Sequence, residues 1–244
     1  MSQKLYLIPN GISPKSIFLL SAIFPIEVKN IRFFLVEEQK SAQRLLKKIN
    51  PEFPMKECSF VDLNEHTPEH EIKNYFNQAG GKDMGLISES GCPCVADPGS
   101  NFVLLAHKYN VEVIPLVGPS SIILALMASG LNGQNFAFNG YLPKQKEERI
   151  KKIKLLELRS LHESQTQIFM EAPYRNDQIL SDVLSCCSRQ TFLSVAVDLT
   201  SPNQSVKTQS IGDWMNFKNS LNDKLVLFLL HNPGFCNSKI RPKG

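Results

Sequence analysis

The sequence predicts an α/β protein with two domains. Short apolar runs alternate with segments of helical period, which is typical of a largely parallel sheet with connecting helices. The length of 244 residues fits one large domain or two modest ones, and we favour two. Apolar residues make up 42% of the chain, enough for a full hydrophobic core, which excludes a disordered chain and a disulfide-stapled miniprotein.

Five strands are predicted before residue 120, each from a short apolar run. They cover residues 5–8, 31–36, 58–62, 84–87 and 111–115. The second strand precedes a helix with Ala42, Leu45, Leu46 and Ile49 on one face. Further helices are expected at 69–78, which begins after Pro68 and stops at the glycine pair 80–81, and at 101–109.

Residues 118–121, Gly-Pro-Ser-Ser, are typical of a turn that caps a helix, here one that runs to Ser129. We place the domain boundary at this turn, which gives an N-terminal α/β domain of residues 1–117 and a C-terminal α+β domain of residues 118–244. The second domain is expected to contain strands at 135–139, 167–171, 192–198 and 224–230. Its helices are expected at 146–158, 176–184 and near Trp214, with a polar stretch up to Ser210.

Charge, hydropathy and cysteine usage exclude several classes of protein. The formal net charge of +4 is too small to hold nucleic acid by charge alone, although a local basic patch stays open. No apolar run approaches the roughly 18 residues of a membrane span, and residues 16–24 make a poor signal peptide, so we expect a cytoplasmic protein. The six cysteines form no C-x-x-C pair, which predicts free thiols and no metal site.

Acidic residues follow four of the predicted strands. They are the pair Glu37–Glu38, Glu89, Glu171 and Asp198. Each by itself is explained by a helix cap or a solvated turn. Ligands of open α/β sheets bind at the carboxyl ends of strands, so the four together favour a cleft for a ligand with hydroxyls and a positive charge.

Residues 88–99, Ser-Glu-Ser-Gly-Cys-Pro-Cys-Val-Ala-Asp-Pro-Gly, predict a long irregular loop. Ordered loops of this length are often functional, although a plain connection is the alternative. The chain contains neither G-x-G-x-x-G after the first strand nor G-x-x-x-x-G-K-[ST]. A Rossmann dinucleotide site and a P-loop are therefore not supported.

These motifs resemble the tetrapyrrole methylase superfamily of S-adenosylmethionine-dependent methyltransferases, and within it the bacterial small-subunit rRNA ribose 2'-O-methyltransferase branch. Residues 88–99 match the family loop Ser-Asp-Ala-Gly-Thr-Pro-x-x-x-Asp-Pro-Gly. Residues 117–121 match Pro-Gly-Pro-Ser-Ala, and residues 128–132 match Ala-x-Ser-Gly-Leu-Pro. Residues 140–145 match Gly-Phe-Leu-Pro-Arg-Lys, and residues 171–175 match Glu-Ser-Pro-His-Arg, so the resemblance covers nearly the whole chain.

The resemblance implies a two-domain tetrapyrrole methylase fold with a mostly parallel N-terminal sheet, a mixed C-terminal sheet and a cofactor cleft between them. It also implies a homodimer. Carried over by position, the cofactor contacts would be Pro9, Glu89, Pro93, Ser120, Ser121, Met170, Val197 and Asn232. Glu38 and Asp97 are candidates for a general base or for orienting the substrate, and capping and turn roles are their alternatives.

Departures from the family motifs leave the acceptor open. Where the family has Ala-Arg-Glu-Leu-Thr-Lys, residues 196–201 read Ala-Val-Asp-Leu-Thr-Ser, which removes two cations that would contact phosphate. RNA is the leading acceptor, and a tetrapyrrole or another small molecule is the alternative. A non-catalytic cofactor-binding protein is a third hypothesis, because Glu89 stands where the family has Asp.

Three further segments have two interpretations each. His66 and His70 have the spacing of a metal pair, but Pro68 lies between them, so solvated residues are favoured. The basic run 144–154 is either a solvated helix or an RNA contact. The apolar helix around residues 122–127 is either core or dimer interface.

Overall fold

The computed structural model describes residues 3–21, 26–64 and 66–234. The chain divides into two compact units, Met1–Ser120 and Ser121–Gly244. This division falls three residues after the boundary expected at residue 117. The reason is that residues 118 and 119 pack on the first unit, where the Sγ atom of Cys92 lies 3.4 Å from the carbonyl oxygen of Pro119.

The first unit is built on an all-parallel five-stranded sheet with the order β3-β2-β4-β1-β5. Its strands are β1 (Lys4–Ile8), β2 (Phe33–Val36), β3 (Ser59–Asp62), β4 (Met84–Ile87) and β5 (Glu112–Pro115). Its helices are α1 (Pro14–Ser21), α2 (Gln39–Ile49), α3 (Glu69–Ala79) and α4 (Ser100–Lys108). The five strands predicted from the apolar runs are confirmed.

Helices cover both faces of this sheet, which explains why its inner strands are continuous apolar runs. All four residues of β2 and of β4 are buried. One face packs against α3 and α4, and the other packs against α1 and α2. The apolar face predicted for the second helix is confirmed, since Ala42, Leu45 and Leu46 are buried and Ile49 packs beside them.

The second unit contains a mixed five-stranded sheet with the order β6-β7-β10-β8-β9. Its strands are β6 (Phe136–Tyr141), β7 (Thr166–Met170), β8 (Phe192–Val197), β9 (Ser205–Ser210) and β10 (Val226–His231). Only β6 and β7 pair in parallel, and the other pairs are antiparallel. Its helices are α5 (Ser121–Ser129), α6 (Lys146–Glu163), α7 (Asn176–Cys186) and α8 (Ile211–Trp214).

Strand β9 corrects the prediction of a plain polar stretch before Ser210. It pairs antiparallel with β8 along its whole length. As an edge strand it contains no apolar run, because none of its side chains is fully buried and its first four alternate between exposed and half-buried. The Oγ1 atom of Thr208 donates a hydrogen bond to the carbonyl oxygen of Ser129 at 2.7 Å and lies 2.8 Å from the Oγ atom of Ser194.

Two global properties concern the described residues only. Among the helices of these ranges, none combines the length and apolarity needed to cross a bilayer. The described cysteines, Cys58, Cys92, Cys94, Cys186 and Cys187, are free thiols. Cys236 lies outside the described residues.

A fully buried ion pair joins α6 to α7. The guanidinium of Arg149 lies 2.7 Å from Oδ2 of Asp182, and both side chains are almost completely buried. The same guanidinium donates to the carbonyl oxygens of Pro143 and Lys144, at 3.2 and 2.7 Å. One cation therefore fixes two helices and the loop that leads into α6.

Removing one partner of this pair should be strongly destabilising. We expect Arg149→Ala to lower the free energy of unfolding by about 3–5 kcal/mol, because it leaves a buried carboxylate without a counter-charge. The matched control is Glu112→Ala, which breaks the exposed pair between Lys4 and Glu112 and should cost less than about 1 kcal/mol. Chemical denaturation measures both, and equal losses would contradict the assignment.

Candidate functional site

Three strands of the first sheet end level with one another. Ile8 of β1 and Val36 of β2 both pair in register with Ile87 of β4. The residues that follow them therefore meet at one edge, as expected for the carboxyl ends of parallel strands. Two of the predicted site positions, Pro9 and Glu89, follow two of these strands.

Asn10 ties the end of β1 to the loop of residues 88–99. Its backbone N–H donates to the carbonyl oxygen of Gly91 at 2.8 Å, and the N–H of Gly91 donates back at 3.1 Å. Its side-chain amide donates to the carbonyl oxygens of Ser88 and Glu89, at 3.2 and 2.9 Å. Asn10 is buried, so these bonds satisfy polar groups that have little access to water.

The predicted irregular loop is confirmed over residues 88–99, which contain no helix or strand. Gly91, Cys94, Ala96 and Gly99 all have positive φ angles. Pro93 is buried within the loop. Burial raises the pKa of Cys92, and burial together with the Asp97 charge raises that of Cys94 to about 11, so both are neutral thiols at pH 7.

Residues 118–120 approach the end of β1 closely. A Cβ atom on Gly118 would lie 2.2 Å from the Cβ and Cγ atoms of Pro9, so only glycine fits. The backbone of residues 118–120 thus lies beside Pro9 and the 88–99 loop. The structure therefore brings the predicted positions Pro9, Glu89, Pro93 and Ser120 to one edge of the first unit.

Three carboxylates gather at this edge. Asp97 is half-buried and is hydrogen-bonded to Glu37, and the charge of Glu89 also acts on it. Burial, the Glu37 contact and these negative charges raise the pKa of Asp97 from 3.8 to about 7, against an opposing bond from the N–H of Cys94. Asp97, in a carboxyl pair with Glu37, consequently titrates near neutral pH.

Glu38, the other candidate base, has a structural task. Its two carboxylate oxygens accept hydrogen bonds from the N–H groups of Lys40 and Ser41, at 2.8 and 2.7 Å, which caps α2. The bond from Lys40 lowers the pKa of Glu38. Both acidic residues follow β2, and Glu38 was the predicted candidate, whereas the structure places Glu37 beside Asp97.

The second unit has its own edge of strand ends. Tyr141, Met170, Leu227 and Ala196 lie in one register row, and Val197 follows directly on β8. Met170 and Val197 therefore lie at the same end of the sheet with β10 between them, whereas Ser121 starts α5. Asn232 follows the far end of the antiparallel β10. It lies five residues beyond Leu227, about 16 Å away along the strand.

The structure thus separates Asn232 from Met170 and Val197. The N–H of Asn232 donates to the Oγ atom of Ser160 near the end of α6 at 2.8 Å. The two acidic strand ends of this unit also have structural partners. Glu171 pairs with Arg175 at 3.2 Å, and Asp198 accepts a hydrogen bond from the N–H of Leu225 at 2.9 Å.

The structure holds no metal-ligand cluster in the ranges that it describes: no three His, Cys, Asp or Glu residues there are arranged to bind an ion. His70 lies on α3, whereas His66 precedes Pro68 in a turn where its N–H bonds to Oδ1 of Asn64. The two histidines therefore do not share a helix.

The raised pKa of Asp97 predicts a pH dependence of stability. The folded state binds this proton more tightly than the unfolded chain does, so the Asp97 contribution should fall as the pH rises from 3.8 through about 7. Asp97→Asn should remove this loss. Chemical denaturation across that range checks the difference between parent and variant, and parallel curves would contradict it.

The contact between Gly118 and Pro9 predicts a local packing cost. Gly118→Ala should lower the free energy of unfolding by about 1–3 kcal/mol, because the new methyl group must displace Pro9. Gly133→Ala is the matched control, since a Cβ there meets nothing within 4 Å. Denaturation curves of the two variants would coincide if the close approach were absent.

Comparison with known proteins identifies relatives in sequence and in fold. No family model matches the chain. The ribosomal RNA small subunit methyltransferase I of Vibrio cholerae is 32% identical over 62% of this chain and 51% of its own length. That of Pseudomonas aeruginosa is 26% identical over 84% of this chain and 68% of its own length. The chain thus spans about half to two thirds of the length of these curated relatives.

Solved structures share the fold at low sequence identity. The methyltransferase CobJ superposes with a TM-score of 0.61 at 14% identity, covering 95% of each chain. Uroporphyrin-III-C-methyltransferase from Thermus thermophilus gives 0.52 at 16% identity, covering 95% of this chain and 93% of its own. The resemblance predicted from the motifs is confirmed: the chain has the two-domain tetrapyrrole methylase fold and is related in sequence to bacterial ribosomal RNA small subunit methyltransferase I proteins.

Proposed function

We propose that this protein is an S-adenosylmethionine-dependent methyltransferase that methylates RNA, with a ribose 2'-hydroxyl of small-subunit rRNA as acceptor. The observation that carries the proposal is the carboxyl pair of Asp97 and Glu37, in which Asp97 belongs to a loop whose backbone carbonyl groups accept hydrogen bonds from Asn10. The names of the sequence relatives support the choice of rRNA. We therefore also propose that the protein acts in the cytoplasm, together with this substrate.

The residues at the first edge fit S-adenosylmethionine. This cofactor carries a positive sulfonium and ribose hydroxyls, and the carboxylates of Glu37 and Glu89 near Asp97 complement both. Pro9, Pro93 and Ser120 would contact it largely through backbone and apolar atoms. Ser121, Met170 and Val197 stay proposed cofactor contacts that are carried over from the resemblance alone. When bound, the cofactor supplies an activated methyl group.

The protein's own chemical task is then to position the acceptor and to take its proton. A hydroxyl acceptor is a weak nucleophile unless a base accepts its hydrogen. In its ionised form, Asp97 with a pKa of about 7 is matched to that role. Glu38 is less suited to it, because both of its oxygens cap α2.

A small-molecule acceptor is the second candidate. Val197 and Ser201 stand where the family motif has Arg and Lys, so two phosphate-binding cations are missing at the end of β8.

We also propose a homodimer. The exposed apolar side chains of Ile123 and Met127 on α5, 44% and 74% exposed, favour this helix as the contact between copies.

Two measurements test the proposed activity. Titration calorimetry should detect S-adenosylmethionine binding to the parent and to Asp97→Asn alike, while methyl transfer to rRNA by Asp97→Asn should fall about 100- to 10,000-fold through loss of the base. Glu38→Gln is the matched control and should retain far more activity.

Absence of cofactor binding at millimolar concentration would contradict every methyltransferase hypothesis. Full activity of Asp97→Asn would remove Asp97 from the reaction without affecting the cofactor assignment. Methylation of a tetrapyrrole but not of rRNA would favour the second candidate.

A further inference from the structure

Two motifs that are distant in the sequence meet around one carbonyl group in the second unit. The carbonyl oxygen of Pro143 accepts hydrogen bonds from Arg149 at 3.2 Å and from Arg175 at 3.4 Å. Arg175 in turn pairs with the buried carboxylate of Glu171. The loop of residues 142–145 and the short 3₁₀ helix Pro173–Arg175 are thereby held side by side.

Each of these segments leaves one tyrosine in solvent. Tyr141 is 63% exposed and Tyr174 is 69% exposed, the largest exposures among the tyrosines of the described residues. Tyr141 lies at the end of β6, opposite Met170 of β7, and Tyr174 follows Met170 by four residues. Exposed aromatic rings on a backbone fixed by buried hydrogen bonds are typical of recognition surfaces.

A lysine completes this surface, which we name the tyrosine edge (Tyr141, Lys144 and Tyr174). The Lys144 side chain is exposed while its carbonyl oxygen is fixed by Arg149 at 2.7 Å. The acidic neighbours are Glu171, which is neutralised by Arg175, the exposed pair Glu147 and Glu148 on α6, and Asp223, whose N–H donates to the carbonyl oxygen of Pro173.

We infer that the tyrosine edge binds the acceptor RNA, with Tyr141 and Tyr174 stacking on unpaired bases and Lys144 contacting a phosphate. This inference rests on the proposed RNA methylation and names the surface that would recognise the acceptor. Stacking on aromatic side chains is how proteins bind unpaired RNA bases, and every base offers a ring face for it. The edge also adjoins Met170, one of the positions that the resemblance proposes as a cofactor contact.

Binding of the full chain to RNA of about 12 nucleotides, measured by fluorescence anisotropy, tests the inference. The parent should bind a single strand more tightly than a duplex of the same length. Tyr141→Ala and Tyr174→Ala should each weaken single-strand binding by roughly 5- to 100-fold. Lys144→Ala should reduce the slope of log affinity against log salt by about 0.7.

Four control variants isolate the surface. Tyr141→Phe and Tyr174→Phe keep the ring and should bind as the parent does. Phe192→Ala removes a 39% exposed ring at the opposite end of the sheet, and Lys207→Ala removes an exposed cation from the opposite edge strand. Neither should change affinity for the single strand.

The outcomes separate this inference from the proposed function. If the parent binds both S-adenosylmethionine and RNA and Tyr141→Ala/Tyr174→Ala binds RNA equally well, the tyrosine edge is overturned while the methyltransferase proposal stands. A preference for duplex over single strand also overturns stacking. If calorimetry shows that the parent binds no cofactor, the proposed function itself fails, and this inference fails with it.

Discussion

The candidate site of the first unit depends on the hydrogen bonds of one buried residue, Asn10. Through its side chain and backbone it binds Ser88, Glu89 and Gly91, and its own Oδ1 accepts from the N–H of Gly11. Loop 88–99 lacks regular structure, so its polar backbone groups need partners of this kind. Without the Asn10 side chain the loop would lose the hydrogen bonds that hold the carbonyl groups of Ser88 and Glu89 beside the end of β1.

The same edge concentrates negative charge at a cost to stability. The charges of Glu37 and Glu89 both act on Asp97, and together with burial they raise the pKa of Asp97 to about 7. Without a bound cation such a cluster is destabilising, because carboxylates that lie apart and are solvated by water have a lower free energy. A cationic sulfonium would relieve the repulsion, so the same charges that reduce stability favour a positively charged ligand.

The sequence predicted the elements well wherever an apolar run marked a buried strand, as in β2 and β4. It failed at β9, because an edge strand with one covered face needs no apolar run. It selected Glu38 rather than Glu37, since composition does not distinguish a helix cap from a residue that turns toward Asp97. Asn232 was grouped with Met170 only by carrying family positions over to this chain, and the antiparallel direction of β10 takes Asn232 away from Met170.

The second unit uses a buried charge where the first uses a buried amide. Replacing Arg149 and Asp182 by well-packed apolar residues would preserve helix packing, since buried ion pairs are often no more stable than hydrophobic substitutes. An apolar side chain, however, could not donate to the carbonyl oxygens of Pro143 and Lys144. The ion pair therefore specifies the conformation of the loop rather than the stability of the helices. That loop carries Lys144 and follows Tyr141 directly, so the buried guanidinium sets the geometry of the exposed tyrosine edge.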